Sequence, residues 1–231
     1  MKQIVAIGGG GFTSPDKNLK IENYLLKLTQ KENPKICFLP QASCEADDYI
    51  VKFYETFLML GAKPSWISLF GRVENGWKAQ LLEQDIIYVG GGNTRSMLAL
   101  WREWGMDGVL KEAYEKGIVL SGVSAGAICW FEQCITDSVW PLGALIGLKF
   151  LKGSCCPHYD SEPERRPVFQ SKVKNGEVMP GIALEDFTAA HFVDGHLHKI
   201  IAGLETKKAF QVSNGSEIPL DSNYLPYKTQ P

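Results

Sequence analysis

The sequence predicts an α/β fold in which helices cover both faces of a mostly parallel sheet. Over the first two thirds of the 231-residue chain, short apolar runs alternate with longer amphipathic stretches. The apolar runs are continuous rather than alternating, which is typical of strands that are buried on both faces of a parallel sheet. We therefore expect a three-layer α/β/α sandwich, with residues 1–231 forming one domain.

The predicted elements follow one another in a regular order. Strands are expected at residues 3–7, 35–39, 65–70, 85–89 and 118–122, and helices at 18–30, 44–60, 76–82 and 94–116, the last broken near Gly105. After residue 140 the runs shorten, and strands are expected at 145–151, 177–185 and 189–193. Residues 209–213 and 218–220 flank a turn and predict a hairpin, and the tail from residue 224 is expected to be loosely attached.

Composition and charge exclude several classes of protein. Hydrophobic residues make up 45% and charged residues 22% of the chain, and the net charge of −2 argues against a nucleic-acid-binding protein. No apolar run approaches the ~20 residues that span a bilayer, and the first residues enter a strand without a signal-peptide core. Six cysteines in mostly apolar contexts, without a C-x-x-C pair, are typical of a reducing compartment. We expect a cytoplasmic protein.

Residues 122–126, with the sequence GVSAG, carry the strongest functional signal. This G-x-S-x-G motif lies where a predicted strand ends and a helix-like segment begins, which is the context of a nucleophile elbow. Ser124 is then the nucleophile, and the Ala125 N–H at the start of the helix would stabilise an oxyanion. The alternative is that Ser124 only caps the helix.

Two glycine-rich loops follow other predicted strands. Residues 90–94, GGGNT, can present backbone N–H groups to an anion and supply a second oxyanion donor, while Asn93 or Thr94 caps the next helix. Residues 8–11, GGGG, do not complete G-x-G-x-x-G because position 13 is Thr, and no P-loop lysine follows. The second loop therefore predicts a close approach of backbone rather than a nucleotide cofactor.

A serine nucleophile needs a base, and the chain has four histidines. His158 lies in an irregular segment that suits an active-site loop, whereas the other three cluster downstream: His191, His196 and His198. No carboxylate at matching spacing completes a metal site in that cluster, so no metal is predicted. Spacing alone leaves four acids open as the partner of the histidine: Glu132, Asp137, Asp160 and Glu185.

Together these motifs resemble the peptidase E and cyanophycinase family of serine peptidases. The matching segments are residues 7–10, 89–94, 122–127, 156–160 and 181–186, in that order along the chain. The resemblance implies a fold like that of the class I glutamine amidotransferases, which is flavodoxin-like, with serine where those enzymes use cysteine.

The resemblance also implies residue roles. Ser124 would be the nucleophile, His158 the general base and Asp137 the acid, with Glu132 as the main rival for the acid. Gly92 and Ala125 would form the oxyanion hole. Peptidase E cleaves dipeptides with an N-terminal aspartate, and the candidate substrate-binding residues are Asn93 and Arg165. The alternative for Arg165 is an ion pair with Glu162 or Glu164.

The sequence thus predicts a serine peptidase that hydrolyses small peptides without a cofactor. Two alternatives stay open: a catalytically silent binding or sensor protein on the same fold, and a serine amidase or esterase that acts on non-peptide substrates. Trp101, Trp104, Trp130 and Trp140 could pack either a core or the face of a homodimer, and a core is the preferred interpretation.

Overall fold

The computed structural model describes residues 1–73 and 75–226. In the first half of the chain, strands and helices alternate as follows: β1 Gln3–Ile7, α1 Lys20–Lys27, β2 Lys35–Leu39, α2 Asp47–Met59, β3 Lys63–Trp66, α3 Trp77–Leu82, β4 Ile86–Val89, α4 Thr94–Trp104, α5 Met106–Glu115, β5 Val119–Val123 and α6 Ala125–Ile128. The second half is mostly strands: β6 Phe131–Thr136, β7 Gly143–Ile146, β8 Leu151–Cys156, α7 Arg165–Lys174, β9 Gly181–Leu184, β10 Thr188–Val193, β11 His196–Ala202, β12 Ala209–Ser213, β13 Ser216–Leu220 and β14 Ser222–Tyr224.

The main sheet has eight strands in the order β14-β11-β10-β1-β5-β4-β2-β3. Strands β1 to β5 pair in parallel, while β10 is antiparallel to both β1 and β11. Every residue of β1, β4 and β5 is buried, as expected for strands with both faces covered. The predicted α/β fold class is confirmed.

Alternate residues of these strands pack into two hydrophobic clusters, one on each face of the main sheet. Ile4 and Ala6 of β1 lie in the cluster with the apolar sides of α4 and α5. Val5 and Ile7 lie in the cluster with α1 and α2. The sheet therefore forms the middle layer between two layers of helices.

The sequence did not predict a second sheet, which has six strands in the order β13-β12-β9-β8-β6-β7. The run predicted as one strand at 145–151 is divided between β7 and β8, and β6, which the sequence did not predict, begins at Phe131. Strand β7 has only four residues, and its exposed positions are occupied by the apolar Ala144 and Ile146, so its sequence does not show the alternation that marks a strand.

Other expectations are confirmed or corrected at the level of single elements. The predicted helix break is present, with Gly105 at φ 66° between α4 and α5. The hairpin is present as β12 and β13, joined at Asn214 and Gly215. The tail does not begin at residue 224, because Tyr224 pairs with Ala202 in the main sheet, and residues 227–231 lie outside the described ones.

Burial separates the tryptophans. Trp101 and Trp130 are fully buried in the core, as preferred from the sequence, whereas Trp104 and Trp140 are exposed. Across residues 1–73 and 75–226, no helix has both the length and the apolar character needed to cross a membrane.

Candidate active site

Ser124 lies between the last residue of β5 and the first residue of α6, at φ 56° and ψ −114°. Its N–H donates to the carbonyl of Ile7, 3.0 Å away, which ties the turn to the end of β1. A positive φ costs a non-glycine residue ~1–2 kcal/mol and is common at functional sites. The Ser124 side chain makes no capping hydrogen bond to α6, so helix capping does not explain this serine.

Two glycines make the sharp turn around Ser124 possible. A Cβ atom on Gly122 would lie 2.5 Å from the carbonyl oxygen of Gly126 and 2.7 Å from that of Val89. A Cβ atom on Gly126 would overlap the same Val89 carbonyl. Because both positions exclude a side chain, α6 starts directly against β4 and β5 and the Ser124 side chain faces away from the sheet interior.

Ser124, His158 and Asp186 form a continuous hydrogen-bonded chain. His158 Nε2 lies 2.9 Å from Ser124 Oγ, and His158 Nδ1 lies 2.7 Å from Asp186 Oδ1. The three residues follow β5, β8 and β9 in turn. With side-chain exposures of 21% for His158 and 22% for Asp186, the group is shielded but remains open to solvent on one side. This is the arrangement of a nucleophile, a base and a carboxylate that orients the base.

Asp186 is held in its ionised form. Burial raises the pKa of its carboxyl, but the hydrogen bond and charge of His158, a hydrogen bond from Ser161 and the charge of Lys207 together bring this pKa below its ordinary value. An ionised Asp186 favours the Nδ1-protonated form of His158 and leaves Nε2 free to accept the serine proton.

The glycine loop after β1 packs against this histidine. The His158 N–H donates to the carbonyl of Gly8, and the Phe187 N–H donates to that of Gly9. A Cβ atom on Gly9 would overlap Asp186 Oδ1 and lie 2.6 Å from His158 Nδ1. The loop is therefore a close backbone approach, as the sequence analysis expected, and it packs against His158 and Asp186.

The structure does not place Asp137 behind the histidine. The Asp137 side chain is 57% exposed and its nearest charged partner is Arg165, with Oδ1 and Nη2 3.7 Å apart. Asp137 follows β6 and Asp186 follows β9, and these two strands lie on opposite sides of β8, the strand that leads to His158. The prediction of Asp137 as the neighbour of His158 is wrong in this structure, and Asp186 occupies that position.

The other candidate acids contact different groups. Glu132 accepts a hydrogen bond from the Gly153 N–H, and Glu185 accepts one from the Lys208 N–H. Asp160 accepts one from the Asp186 N–H. The sequence analysis missed Asp186, although it ends the 181–186 segment on which the family resemblance rests.

Two backbone N–H groups near Ser124 are available to an oxyanion. Ala125 opens α6, where the first N–H groups have no partner within the helix. Gly92 donates no hydrogen bond within the described part of the chain, while the N–H groups of its neighbours are engaged, Gly91 with Tyr49 Oη and Asn93 with the Ala42 carbonyl. The site for a Cβ on Gly91 lies 3.3 Å from Ser124 Cβ, so this loop touches the serine.

The two candidate substrate-binding side chains are used inside the protein. Asn93 Oδ1 accepts from the Ser96 N–H at the start of α4, and its Nδ2 donates to the Ser138 carbonyl. Asn93 is thus a helix cap with both polar atoms occupied.

Arg165 is only 3% exposed at its side chain and donates from Nε to Glu162 at 2.6 Å and from Nη1 to the Ile135 carbonyl. The ion pair with Glu162 that the sequence analysis left open is present. The assignment of Arg165 to substrate binding is not supported by this geometry, because its guanidinium is enclosed.

The remaining histidines lie away from this chain of hydrogen bonds. His191 is buried in β10, where Nδ1 lies 2.7 Å from Tyr24 Oη and Nε2 3.1 Å from Gln3 Oε1. Burial, followed by the charges of His198 and Lys199, lowers the pKa of His191 to about 4. Among residues 1–73 and 75–226, no three His, Cys, Asp or Glu side chains group in a way that could hold a metal ion.

Comparisons with known proteins identify the family of the chain. The sequence profile of peptidase family S51 matches residues 4–200. The chain is 45% identical over 229 residues to the Bacillus subtilis (strain 168) protein called "Uncharacterized peptidase YgaJ", with 97% of this chain and 100% of that protein covered.

Two solved structures share the fold at low sequence identity. A peptidase from an acI-B1 actinobacterium superposes with a TM-score of 0.68 at 16% identity, covering 96% of this chain and 95% of the other. A putative peptidase E protein from Listeria monocytogenes EGD-e superposes with a TM-score of 0.61 at 20% identity, covering 83% and 94%. The fold is therefore shared with proteins described as peptidases.

Proposed function

Because the chain belongs to peptidase family S51 and is a serine peptidase, we propose that Ser124, His158 and Asp186 are its catalytic triad. The observation that carries the proposal is the histidine bonded on both sides, with Nε2 2.9 Å from the serine oxygen and Nδ1 2.7 Å from the carboxylate. The strained backbone of Ser124 supports it, because a purely structural serine does not need a positive φ.

The proposed reaction proceeds through an acyl-enzyme. Ser124 Oγ attacks the scissile carbonyl carbon while its proton passes to His158 Nε2, and the resulting oxyanion accepts hydrogen bonds from the N–H groups of Gly92 and Ala125. The C–N bond then breaks, and the leaving amine takes the proton from His158. Water, deprotonated by His158, hydrolyses the ester at Ser124 and restores the free serine. Asp186 stabilises the imidazolium in both halves of the reaction.

The proposed substrates are small peptides, with dipeptides that carry an N-terminal aspartate as the first class to test. The resemblance to peptidase E and the shared fold with the Listeria protein support this choice. The Arg165 guanidinium donates to Glu162 and to the Ile135 carbonyl, so the proposed preference for aspartate needs another cation.

The proposed location is the cytoplasm. All six cysteines are free thiols, and five of them are buried. Unpaired cysteines in the core are typical of proteins that function under reducing conditions.

The decisive experiment combines covalent labelling with hydrolysis. The wild-type protein should react with a fluorophosphonate probe at one serine and should hydrolyse members of a dipeptide panel that includes Asp-X. Ser124→Ala should abolish both, whereas the control Ser96→Ala, which removes an exposed serine of α4, should leave both unchanged.

Each outcome distinguishes the alternatives. Absence of labelling in the wild-type protein would favour the silent binding protein and overturn the peptidase mechanism. Labelling with hydrolysis of esters or simple amides, but of no peptide, would favour the amidase or esterase. Activity in Ser124→Ala would overturn the assignment of the nucleophile.

A further inference from the structure

An ion pair lies directly behind the acid of the proposed triad. Asp160 Oδ1 accepts a hydrogen bond from the Asp186 N–H at 2.9 Å, and Asp160 Oδ2 contacts the ammonium of Lys207. The side chains of Asp160 and Lys207 are 20% and 26% exposed, which makes this pair about as shielded as His158 and Asp186. One carboxylate thus connects the backbone of Asp186 to a single cation.

Lys207 is fixed in this position by the backbone around it. It belongs to the segment between β11 and β12, and the next residue, Lys208, exchanges two hydrogen bonds with Glu185. The Lys208 N–H donates to Glu185 Oε2, and the Glu185 N–H donates to the Lys208 carbonyl. The segment that carries Lys207 is therefore attached to the residue immediately before Asp186.

The charges that face one another here come from three parts of the chain. His158 and Asp160 belong to the loop after β8, Glu185 and Asp186 follow β9, and Lys207 precedes β12. Outside this group, Arg166 of α7 lies 3.4 Å from Glu185, and Nζ of Lys208 forms no ion pair within the described residues. Lys207 is thus the cation that contacts Asp160, while Arg166 contacts Glu185.

We propose that Asp160 and Lys207 are a positioning pair for the triad, in which Asp160 holds the backbone of Asp186 and Lys207 sets the charge balance around the Asp186–His158 dyad. This inference rests on the proposed function, because it assigns a role in the same reaction. Neither residue touches the reacting atoms, and both act through Asp186.

The pKa shifts at this position are consistent with the pair. Burial lowers the pKa of the Lys207 ammonium, but its contact with Asp160 and the charges of Glu185 and Asp186 raise it above the ordinary value. Lys207 in turn is one of the groups that lower the pKa of Asp186. Removing either charge should therefore change the pH at which the Asp186–His158 dyad takes up a proton. The two removals should change this pH in opposite directions.

The test is the rate of fluorophosphonate labelling at Ser124, measured as a function of pH, because this readout needs no knowledge of the substrate. Lys207→Met removes a positive charge and should move the midpoint of the acid limb of this pH–rate profile to a higher pH, by about half a unit. Asp160→Asn keeps an acceptor for the Asp186 N–H and should move the limb downward by a similar amount. The double variant should return close to the wild-type midpoint.

The control is Lys208→Met, which removes a neighbouring cation that makes no ion pair within the described residues and should leave the midpoint unchanged. Asp160→Ala, which also removes the acceptor, should lower the plateau rate about tenfold because the Asp186 backbone loses its anchor. Thermal unfolding of each variant identifies those that fail to fold, and Lys207→Gln replaces Lys207→Met if the latter does.

The proposal is overturned if Lys207→Met and Asp160→Asn have the same midpoint of the pH–rate profile as the control Lys208→Met. It is also overturned if the two variants lower only the plateau rate of labelling. Failure of the proposed function is recognised separately. In that case the wild-type protein is not labelled, or Ser124→Ala is labelled as strongly as the wild-type protein.

Discussion

At the scale of single residues, the site is built from backbone conformations that most side chains avoid. Ser124, His158 and Phe187 have φ values of 56°, 51° and 61°. Each of these costs of the order of 1 kcal/mol and persists only where surrounding hydrogen bonds hold it in place. Three such residues around one hydrogen-bonded chain indicate that the fold imposes the positions of Ser124 and His158, the proposed nucleophile and base.

The first prediction at this scale separates the two candidate acids. Asp186→Asn should lower kcat/KM by about 10³- to 10⁴-fold, because an amide cannot stabilise the imidazolium of His158. The measurement is steady-state hydrolysis of the best dipeptide of the panel. Asp137→Asn is the matched control and should stay within about twofold of the wild-type rate. A larger loss in Asp137→Asn than in Asp186→Asn would restore the sequence-based assignment.

The second prediction concerns the backbone that supports the base. Gly9→Ala should reduce kcat by about 10²-fold or more, since the added methyl group would occupy the space of Asp186 Oδ1 and crowd His158 Nδ1. Gly108→Ala, on α5 with open space around its Cβ, is the control and should be neutral. Wild-type activity in a folded Gly9→Ala protein would show that the loop does not constrain the dyad.

At the scale of elements, α4 shows how a polar residue near the site can have a structural role. Asn93 caps this helix through Ser96 and also holds the segment after β6 through the Ser138 carbonyl. The Arg95 N–H donates to Ser138 Oγ, which adds a second tie to the same segment. The helix start that carries Gly92 is thereby connected to the second sheet.

The prediction for this element tests capping against substrate binding. Asn93→Ala should lower the free energy of unfolding by about 1 kcal/mol and leave KM nearly unchanged. Asn93→Asp, which keeps the capping oxygen, should retain most of the stability. Urea unfolding and steady-state kinetics on the same samples provide the comparison, and a large rise in KM at unchanged stability would support a substrate contact instead.

The long elements could be predicted from sequence, whereas the short ones could not. The break at Gly105 and the parallel strands follow from glycine conformation and from continuous apolar runs, which are local signals. Helix α6 ends at Ile128 and β6 begins at Phe131, although these residues form one continuous apolar stretch. Pairing of β6 with β7 and β8 determines that boundary, and such pairing is not a local property of the sequence.

At the scale of the whole molecule, two buried ionisable side chains should give the stability opposite dependences on pH. Burial raises the pKa of Glu22 to about 7, although hydrogen bonds to its carboxyl from backbone groups, including the Phe12 N–H, lower this pKa. The other carboxyl oxygen, Glu22 Oε2, has no hydrogen-bond partner within the described residues. The pKa of His191 is lowered to about 4. Glu22 is thus unfavourable when ionised, and His191 is unfavourable when protonated.

For His191 the folded-state pKa lies below the ordinary value of 6.5, so the unfolded chain binds the proton more readily. The free energy of unfolding should fall as pH decreases from about 6.5 towards 4, by up to about 3 kcal/mol. His191→Gln should remove this part of the dependence, whereas the exposed His196→Gln should not. Urea unfolding between pH 4 and pH 8 measures it, and equal profiles for the two variants would contradict the prediction.

For Glu22 the folded-state pKa lies above the ordinary value of 4.5, so the sign is reversed. The contribution of Glu22 to the free energy of unfolding is fully present below pH 4.5. It should be lost as pH rises through 7, which lowers the free energy of unfolding by up to about 3 kcal/mol. The gain in the free energy of unfolding that Glu22→Gln shows over the wild-type protein should be larger at pH 8 than at pH 5. The opposite ordering, in the same urea experiment, would show that the carboxylate is stabilised in the folded protein.

The sequence by itself determined the α/β class, the turn from strand to helix at Ser124, the loop with His158 and the glycine-rich strand ends, because each depends on a short segment and its immediate neighbours. Only the tertiary structure decided the second sheet, the contact of Asp186 with His158 and the burial of Arg165 against the Ile135 carbonyl. These features join segments that are distant in the chain, and their partners are set by strand pairing and packing. A carboxylate acts on a histidine through its distance, and that distance exists only after the chain has folded.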